Sequence, residues 1–159
     1  MKIMFICTGN ICRSAMAHGL LEKRLEEKKI ANVKVYSCGI YAEDGDGATY
    51  NAIEAIKEYG VDLRNHRATA ISNSAIQEMD LILCMTRSHK ASVLQLYPEL
   101  QGKVYTLKEY TGYQEKVNDW DIPDPWGYDL DTYRRCAEEL DICIELLLKK
   151  IEESIDKEK

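Results

Sequence analysis

The apolar positions of this chain fall into short dense blocks separated by longer amphipathic stretches. Residues 2–7 (KIMFIC) are an almost unbroken apolar run, which predicts a buried strand. From Ser14 to Lys29, Met16, Ala17, Leu20, Leu21 and Leu25 recur at helical spacing and predict a helix. Residues 32–39 (NVKVYSCG) alternate and carry β-branched side chains, a second strand. Residues 49–60 (TYNAIEAIKEYG) set Ile53 and Ile56 on one face and stop at Gly60, so a helix is expected there. Residues 80–85 (DLILCM) predict a third buried strand, 88–98 (SHKASVLQLYP) a helix ended by Pro98, and 103–107 (KVYTL) a fourth strand. Residues 118–129 (NDWDIPDPWGYD), rich in Asp, Pro and Gly, predict a loop. From about Asp129 a long helix follows. Leu130, Tyr133, Ala137, Leu140, Ile144, Leu147 and Ile151 recur every three or four residues and form one apolar stripe, whose expected role is core packing.

Strands alternating with helices imply an α/β fold: a single-domain, three-layer sandwich whose central four-stranded parallel sheet is flanked by helices. No repeat or low-complexity tract divides the chain, so one domain over 1–159 is expected. In such sheets ligands bind beyond the carboxyl ends of the strands. The first strand ends at Cys7.

Composition narrows the field. Of 159 residues, 45% are apolar and 30% charged, an ordinary globular balance. The net charge of −6 argues against a nucleic-acid partner, which needs clustered Lys and Arg, but leaves room for a local basic site. No segment approaches the roughly 20 apolar residues of a membrane span, so no membrane insertion is expected. Residues 1–7 are too short for a signal peptide. Several of the six cysteines, such as Cys84 and Cys143, lie in apolar runs, where a reduced cysteine packs as a small hydrophobe. A reducing cytoplasm is the expected setting.

The chemistry concentrates in residues 7–14, CTGNICRS. Between a strand and a helix, Thr8, Gly9, Asn10, Ile11 and Cys12 form a tight loop ending at a helix N-terminus, where free N–H groups and the positive dipole end favour an anion. Gly9 permits a positive φ, and Asn10 is the next best residue for one. Cys7 at the base of that nest presents sulfur as a nucleophile. Arg13 offers a planar charged fork for two phosphoryl oxygens. Ser14 either hydrogen-bonds the sulfur or caps the helix. A nucleophile beneath a tetrahedral oxyanion cradle suits phosphoryl transfer through a phosphocysteine. A nucleotide-binding loop is excluded, because the segment has one glycine and no Gly-Lys-Ser/Thr ending. Zinc held by Cys7, Cys12, Cys38 and Cys84 is disfavoured, because no close-spaced Cys pair exists.

CTGNICRS, placed after the first strand, resembles the signature of the low-molecular-weight protein tyrosine phosphatases. With the Asp124-Pro125 pair near the last helix, the resemblance covers essentially the whole chain. It implies hydrolysis of phosphotyrosine and small aryl phosphates, with tyrosine-phosphorylated proteins as partners, no cofactor and no metal. A monomer or weak homodimer is expected. The proline-rich loop offers Asp119, Asp121, Asp124 and Asp129 as general acids, and the residues alone leave that choice open. The resemblance selects Asp124, flanked by Pro123 and Pro125. It also implies that Asn10, Ser14, Ser37 and His66 form the network holding the loop in shape. Trp126 and Tyr41 are implied as aromatic walls beside the substrate ring, and Cys12 as a redox guard that traps oxidised Cys7 as a disulfide.

The chain departs from the family pattern at Ala15, where proline is common, and at Thr8, where an apolar residue is frequent. Arg87, His89 and Lys90 make a more basic segment than usual, expected to bias partner choice. Two relatives of the same scaffold compete. Arsenate reductases need two further relay cysteines, and after Cys84 none follows until Cys136. Protein arginine phosphatases carry threonine where this chain has Ile11, which favours tyrosine. A phosphoprotein-binding module with a dead site is disfavoured by the intact Cys7, Arg13 and Asp124.

Overall fold

The computed structural model describes residues 1–158. All four expected strands form: β1 (Lys2–Cys7), β2 (Lys34–Gly39), β3 (Leu81–Cys84) and β4 (Val104–Thr106). They pair in parallel in the order β2-β1-β3-β4, so β1 is central. The helices are α1 (Arg13–Glu27), α2 (Tyr50–Lys57), α3 (Arg87–Leu96), α4 (Leu107–Thr111), α5 (Tyr113–Val117) and α6 (Leu130–Glu158). Among the described residues no helix is long and apolar enough to cross a membrane.

The strand period of two divides the core. Ile3, Phe5 and Cys7 of β1, with Leu81 and Leu83 of β3, face the layer built by α1, α2 and α6. Met4, Ile6, Ile82 and Cys84 face the opposite layer, where Val93 of α3 packs. The α6 stripe is buried from Tyr133 to Ile151, with only Leu130 half-exposed. Full burial of a Leu or Ile stabilises by about 1.5–3 kcal/mol, which accounts for a 29-residue helix beside so small a sheet. Arg24 of α1 also pairs with Asp141 and Glu145 of α6.

Two short helices were not expected. The fourth strand ends at Thr106 instead of running on to Leu107, because Thr106 caps α4. Its hydroxyl accepts from Glu109 N, and the Glu109 carboxylate accepts from Thr106 N, a reciprocal capping box. Gly112, at φ +80°, then turns the chain into α5. The helix predicted from residue 88 starts at Arg87, capped by the Thr86 hydroxyl, and ends before Pro98.

Candidate active site

The loop from Cys7 to Arg13 crosses the carboxyl edge of the sheet at its centre. The connection between β2 and α2 supports it: Ile40 N donates to Cys7 O, Tyr41 N to Thr8 O, and Thr49 N to Ile11 O. Cys7 lies in register with Gly39. A Cβ on Gly39 would sit 2.5 Å from the Thr8 carbonyl oxygen and 2.9 Å from Asn10 N, so only glycine lets the loop settle this close. With the loop carbonyls taken from outside, the amides of Thr8, Gly9, Ile11 and Cys12 have no backbone acceptor among the described residues.

The left-handed residue is Asn10, at φ +56°, and not Gly9. A Cβ on Gly9 would touch only the Ile11 side chain, at ordinary contact distance. Asn10 tolerates the conformation because its fully buried side chain and backbone are satisfied on every side. Its N donates to Cys7 Sγ (3.3 Å) and its Nδ2 to Ser14 Oγ (2.8 Å), while its Oδ1 accepts from Thr69 N (3.0 Å). Its carbonyl accepts from His66 Nε2 (2.7 Å). Since Ser14 Oγ already accepts from Asn10, its hydrogen is free to point at Cys7 Sγ, 2.9 Å away. Ser14 therefore serves the sulfur and does not cap α1, which begins without a side-chain cap. Burial holds the His66 imidazole below its ordinary range, against the opposing pull of the Asn10 carbonyl.

Arg13 is buried at the start of α1. Its Nη1 donates to Ile122 O (2.9 Å), and its Nη2 lies 3.5 Å from Asp124 Oδ2. Its Nε is buried with no acceptor among the described residues. Asp124 is half-exposed, and its Oδ1 accepts from Trp126 N (3.1 Å), which folds the aspartate back over the arginine. These groups surround a cavity of about 250 Å³. Cys7, Thr8, Gly9, Cys12 and Arg13 line it from the loop, and Ile11, Asp124 and Trp126 form its walls.

Two expected residues lie elsewhere. Tyr41 is 80% exposed and is not part of the cavity lining. Ser37 does not join the loop network; its hydroxyl pairs with His18 Nδ1 (2.8 Å). The neighbouring β2 positions point to opposite faces, and the position that packs beneath the sheet is Cys38.

Other groups reach the site without having been foreseen. Tyr133, expected only as core, places its hydroxyl 3.2 Å from Cys12 Sγ, with Thr49 Oγ1 3.6 Å from the same sulfur. Burial pushes the Cys12 thiol up despite both partners. His89 Nε2 lies 2.9 Å from Thr8 Oγ1, and its Nδ1 lies 3.0 Å from Thr86 Oγ1. Burial, reinforced by the Arg13 guanidinium, pushes the His89 imidazole down to about 4, so the ring is neutral at pH 7. Of the basic segment expected to bias partners, His89 and Lys90 are engaged within the fold while the Arg87 side chain remains 64% exposed. Lys90 Nζ holds both Glu109 oxygens at 3.0 Å, Arg87 Nε lies 3.6 Å from Asp121, and His89 is buried. Cys84 and Cys38 lie on the far side of the sheet from Cys7 and Cys12, which separates both pairs proposed for zinc and removes Cys84 from any relay to Cys7.

The sequence model of the low molecular weight phosphotyrosine protein phosphatase family matches residues 2–159. The chain belongs to this family. The low molecular weight protein tyrosine phosphatase of T. tengcongensis is 37% identical and superposes with a TM-score of 0.86, over 94% of this chain and 99% of that one. A protein-arginine-phosphatase of Bacillus subtilis is 37% identical over 152 residues, 95% of this chain and 97% of that protein. The YwlE arginine phosphatase, as a cysteine-to-serine mutant with a phosphorylated active-site serine, superposes with a TM-score of 0.87 at 34% identity, covering 96% of each chain. As a member of this family, the protein is a protein phosphatase, a phosphoric monoester hydrolase.

Proposed function

We propose that this protein hydrolyses phosphotyrosine in protein substrates through a phosphocysteine, with Cys7 as nucleophile, Arg13 as phosphoryl ligand and Asp124 as general acid and base. The Cys7 sulfur attacks phosphorus, the S–P bond forms as the P–O bond to the phenol breaks, and Asp124 gives its proton to the leaving oxygen. Arg13, through its unpartnered Nε, and the loop amides take the equatorial oxygens. Ser14 steadies the sulfur, and Asn10 and His66 fix the loop. Water then attacks phosphorus, the Asp124 carboxylate takes its proton, and the S–P bond breaks to return the thiolate and release phosphate. The phosphorylated serine of the YwlE mutant supports covalent transfer to this position.

The observation that supports tyrosine specificity is that Ile11 and Trp126 give an apolar lining to the cavity that also holds Cys7 and Arg13. An aryl ring would bury apolar surface against these two side chains, with its phosphate on Arg13. A second reading, phosphoarginine hydrolysis, is favoured by the name of the B. subtilis relative. Initial rates on phosphotyrosine and phosphoarginine decide between them. The expected result is a preference for phosphotyrosine, with Ile11→Thr moving the ratio of kcat/KM about tenfold towards phosphoarginine. Faster wild-type turnover of phosphoarginine would overturn the tyrosine assignment.

The site is also redox-sensitive in this reading. Peroxide converts the Cys7 thiolate to a sulfenic acid, releasing hydroxide; the Cys12 thiol then displaces water to form the disulfide. Both sulfurs line one cavity, which supports the pairing. Thiol treatment after mild peroxide should restore the wild type but not Cys12→Ser; equal recovery excludes the guard. The six cysteines are free and buried, in accord with a reducing cytoplasm.

A further inference from the structure

Lys108, in α4, is a charged side chain with 1% of its surface exposed, among the most buried large residues of the molecule. Its Nζ donates to the backbone carbonyl of Asp121 (2.8 Å), lies 3.1 Å from Glu139 Oε1 of α6 and 3.5 Å from Asp119 Oδ2, and faces the Tyr113 ring of α5. An ammonium this deep is held only when partners replace its water, and here they come from α6 and from residues 119–121. The next residue after Asp121 is Ile122. Its N donates to Met85 O and its O accepts from Arg13 Nη1. Two residues further on, Asp124 leans over the same guanidinium. Asp121 is clamped from its other side as well, since its carboxylate accepts from Arg87 N (2.8 Å).

We propose that Lys108 is a positioning residue for proton donation, whose ammonium moors the 119–122 segment so that Asp124 reaches the leaving-group oxygen. Lys108 touches no reacting atom; it acts through the Asp121 carbonyl and the short chain path to Asp124. The inference rests on the assignment of Asp124 as general acid.

The test compares two substrates that differ in their need for an acid: phenyl phosphate, with a poor leaving group, and 2,4-dinitrophenyl phosphate, whose phenolate leaves without a proton. For each variant the ratio of kcat/KM on phenyl phosphate to that on the dinitrophenyl ester is measured. Asp124→Asn should lower this ratio on the order of 100-fold, the range of a lost general acid. Lys108→Met, which keeps the length and removes the charge, should lower it about tenfold. A merely structural lysine would lower both substrates alike, and an unchanged ratio in Lys108→Met overturns the proposal. An unchanged ratio in Asp124→Asn overturns the acid assignment itself, and the proposal with it. If Lys108→Met is not recovered folded, Glu139→Ala carries the test from a partly exposed position. It should lower the ratio about threefold, and a wild-type ratio there overturns the mooring role.

Discussion

The phosphate loop and the acid loop meet at Arg13 but are built on opposite plans. The phosphate loop is locked from within: Asn10 is fully buried, and its amide, side chain and carbonyl are all engaged. The acid loop is held to the rest of the fold chiefly along 119–122, by Lys108, Met85, Arg87 and Arg13. Beyond it, Asp124 is half-exposed, and Trp126 and Tyr128 are 63% and 66% exposed. The difference separates two tasks. Gripping a tetrahedral anion requires donors fixed before it arrives. Delivering a proton to varied leaving groups requires a carboxylate on a short exposed span beyond a firm mooring.

The comparison predicts which changes damage the fold and which damage only turnover. Asp124→Asn should lower kcat/KM on phenyl phosphate on the order of 100-fold, with the melting temperature and the inhibition constant of inorganic phosphate nearly unchanged. Melting and phosphate inhibition measured together check this, and a large drop in either would mean that the acid loop is structural. Asn10→Ala should do the reverse in kind. It strands the Ser14 hydroxyl and Thr69 N and loses a side chain suited to positive φ, so unfolding free energy should fall by about 2–4 kcal/mol. Phosphate inhibition should weaken with it. Denaturant titration gives the first number, and a loss under about 0.5 kcal/mol would contradict the locked-loop description.

A pH effect of similar size belongs to the phosphate-loop side. The His89 imidazole sits at about 4 in the folded protein against an ordinary 6.5. Between those values the unfolded chain binds a proton that the native state refuses, so stability rises with pH across the window. It is lost as pH falls from about 6.5 to about 4, by up to about 3 kcal/mol from this group. His66, also held down by burial, acts in the same direction. Denaturant midpoints at pH 7, 5.5 and 4 should fall less steeply in His89→Gln than in the wild type; parallel curves would refute the buried neutral ring. The smallest effect is expected at the exposed wall. Trp126→Ala should raise KM for aryl phosphates about threefold to tenfold, the value of one aromatic contact, without moving the melting temperature.

The elements visible in the sequence were those whose burial follows a simple pattern: the continuous apolar runs of β1 and β3 and the periodic stripe of α6. The opening loop was legible because its residue types are chemically unusual together. What escaped was contact between polar groups distant in sequence. His89 meets Thr8 across 81 positions, and Tyr133 meets Cys12 across 121. No periodicity encodes such meetings, since each depends on which strand edges adjoin. Nothing in the sequence around Lys108 signals its burial, yet its helix carries a readable sign in the Thr106-x-x-Glu109 capping box. Gly39 gave no sign of its own, because its smallness is demanded by a neighbouring strand's loop. Ser37 shows the same dependence, since its hydroxyl meets His18 of α1 and not the loop.

The alternation along β1 makes the place of the nucleophile a question of odd and even. Residues 3, 5 and 7 belong to one side of the molecule, and 4 and 6 to the other. Deleting one residue from this strand would reverse the parity and turn the sulfur towards α3, with every hydrophobic contact exchanged. Deleting two would restore the side but draw the sulfur back by about 6.6 Å along the strand. Five residues of plain hydrocarbon and sulfur, Ile3 to Cys7, thus act as a counter, and insertions that drifting sequences tolerate in the loops should be absent from it.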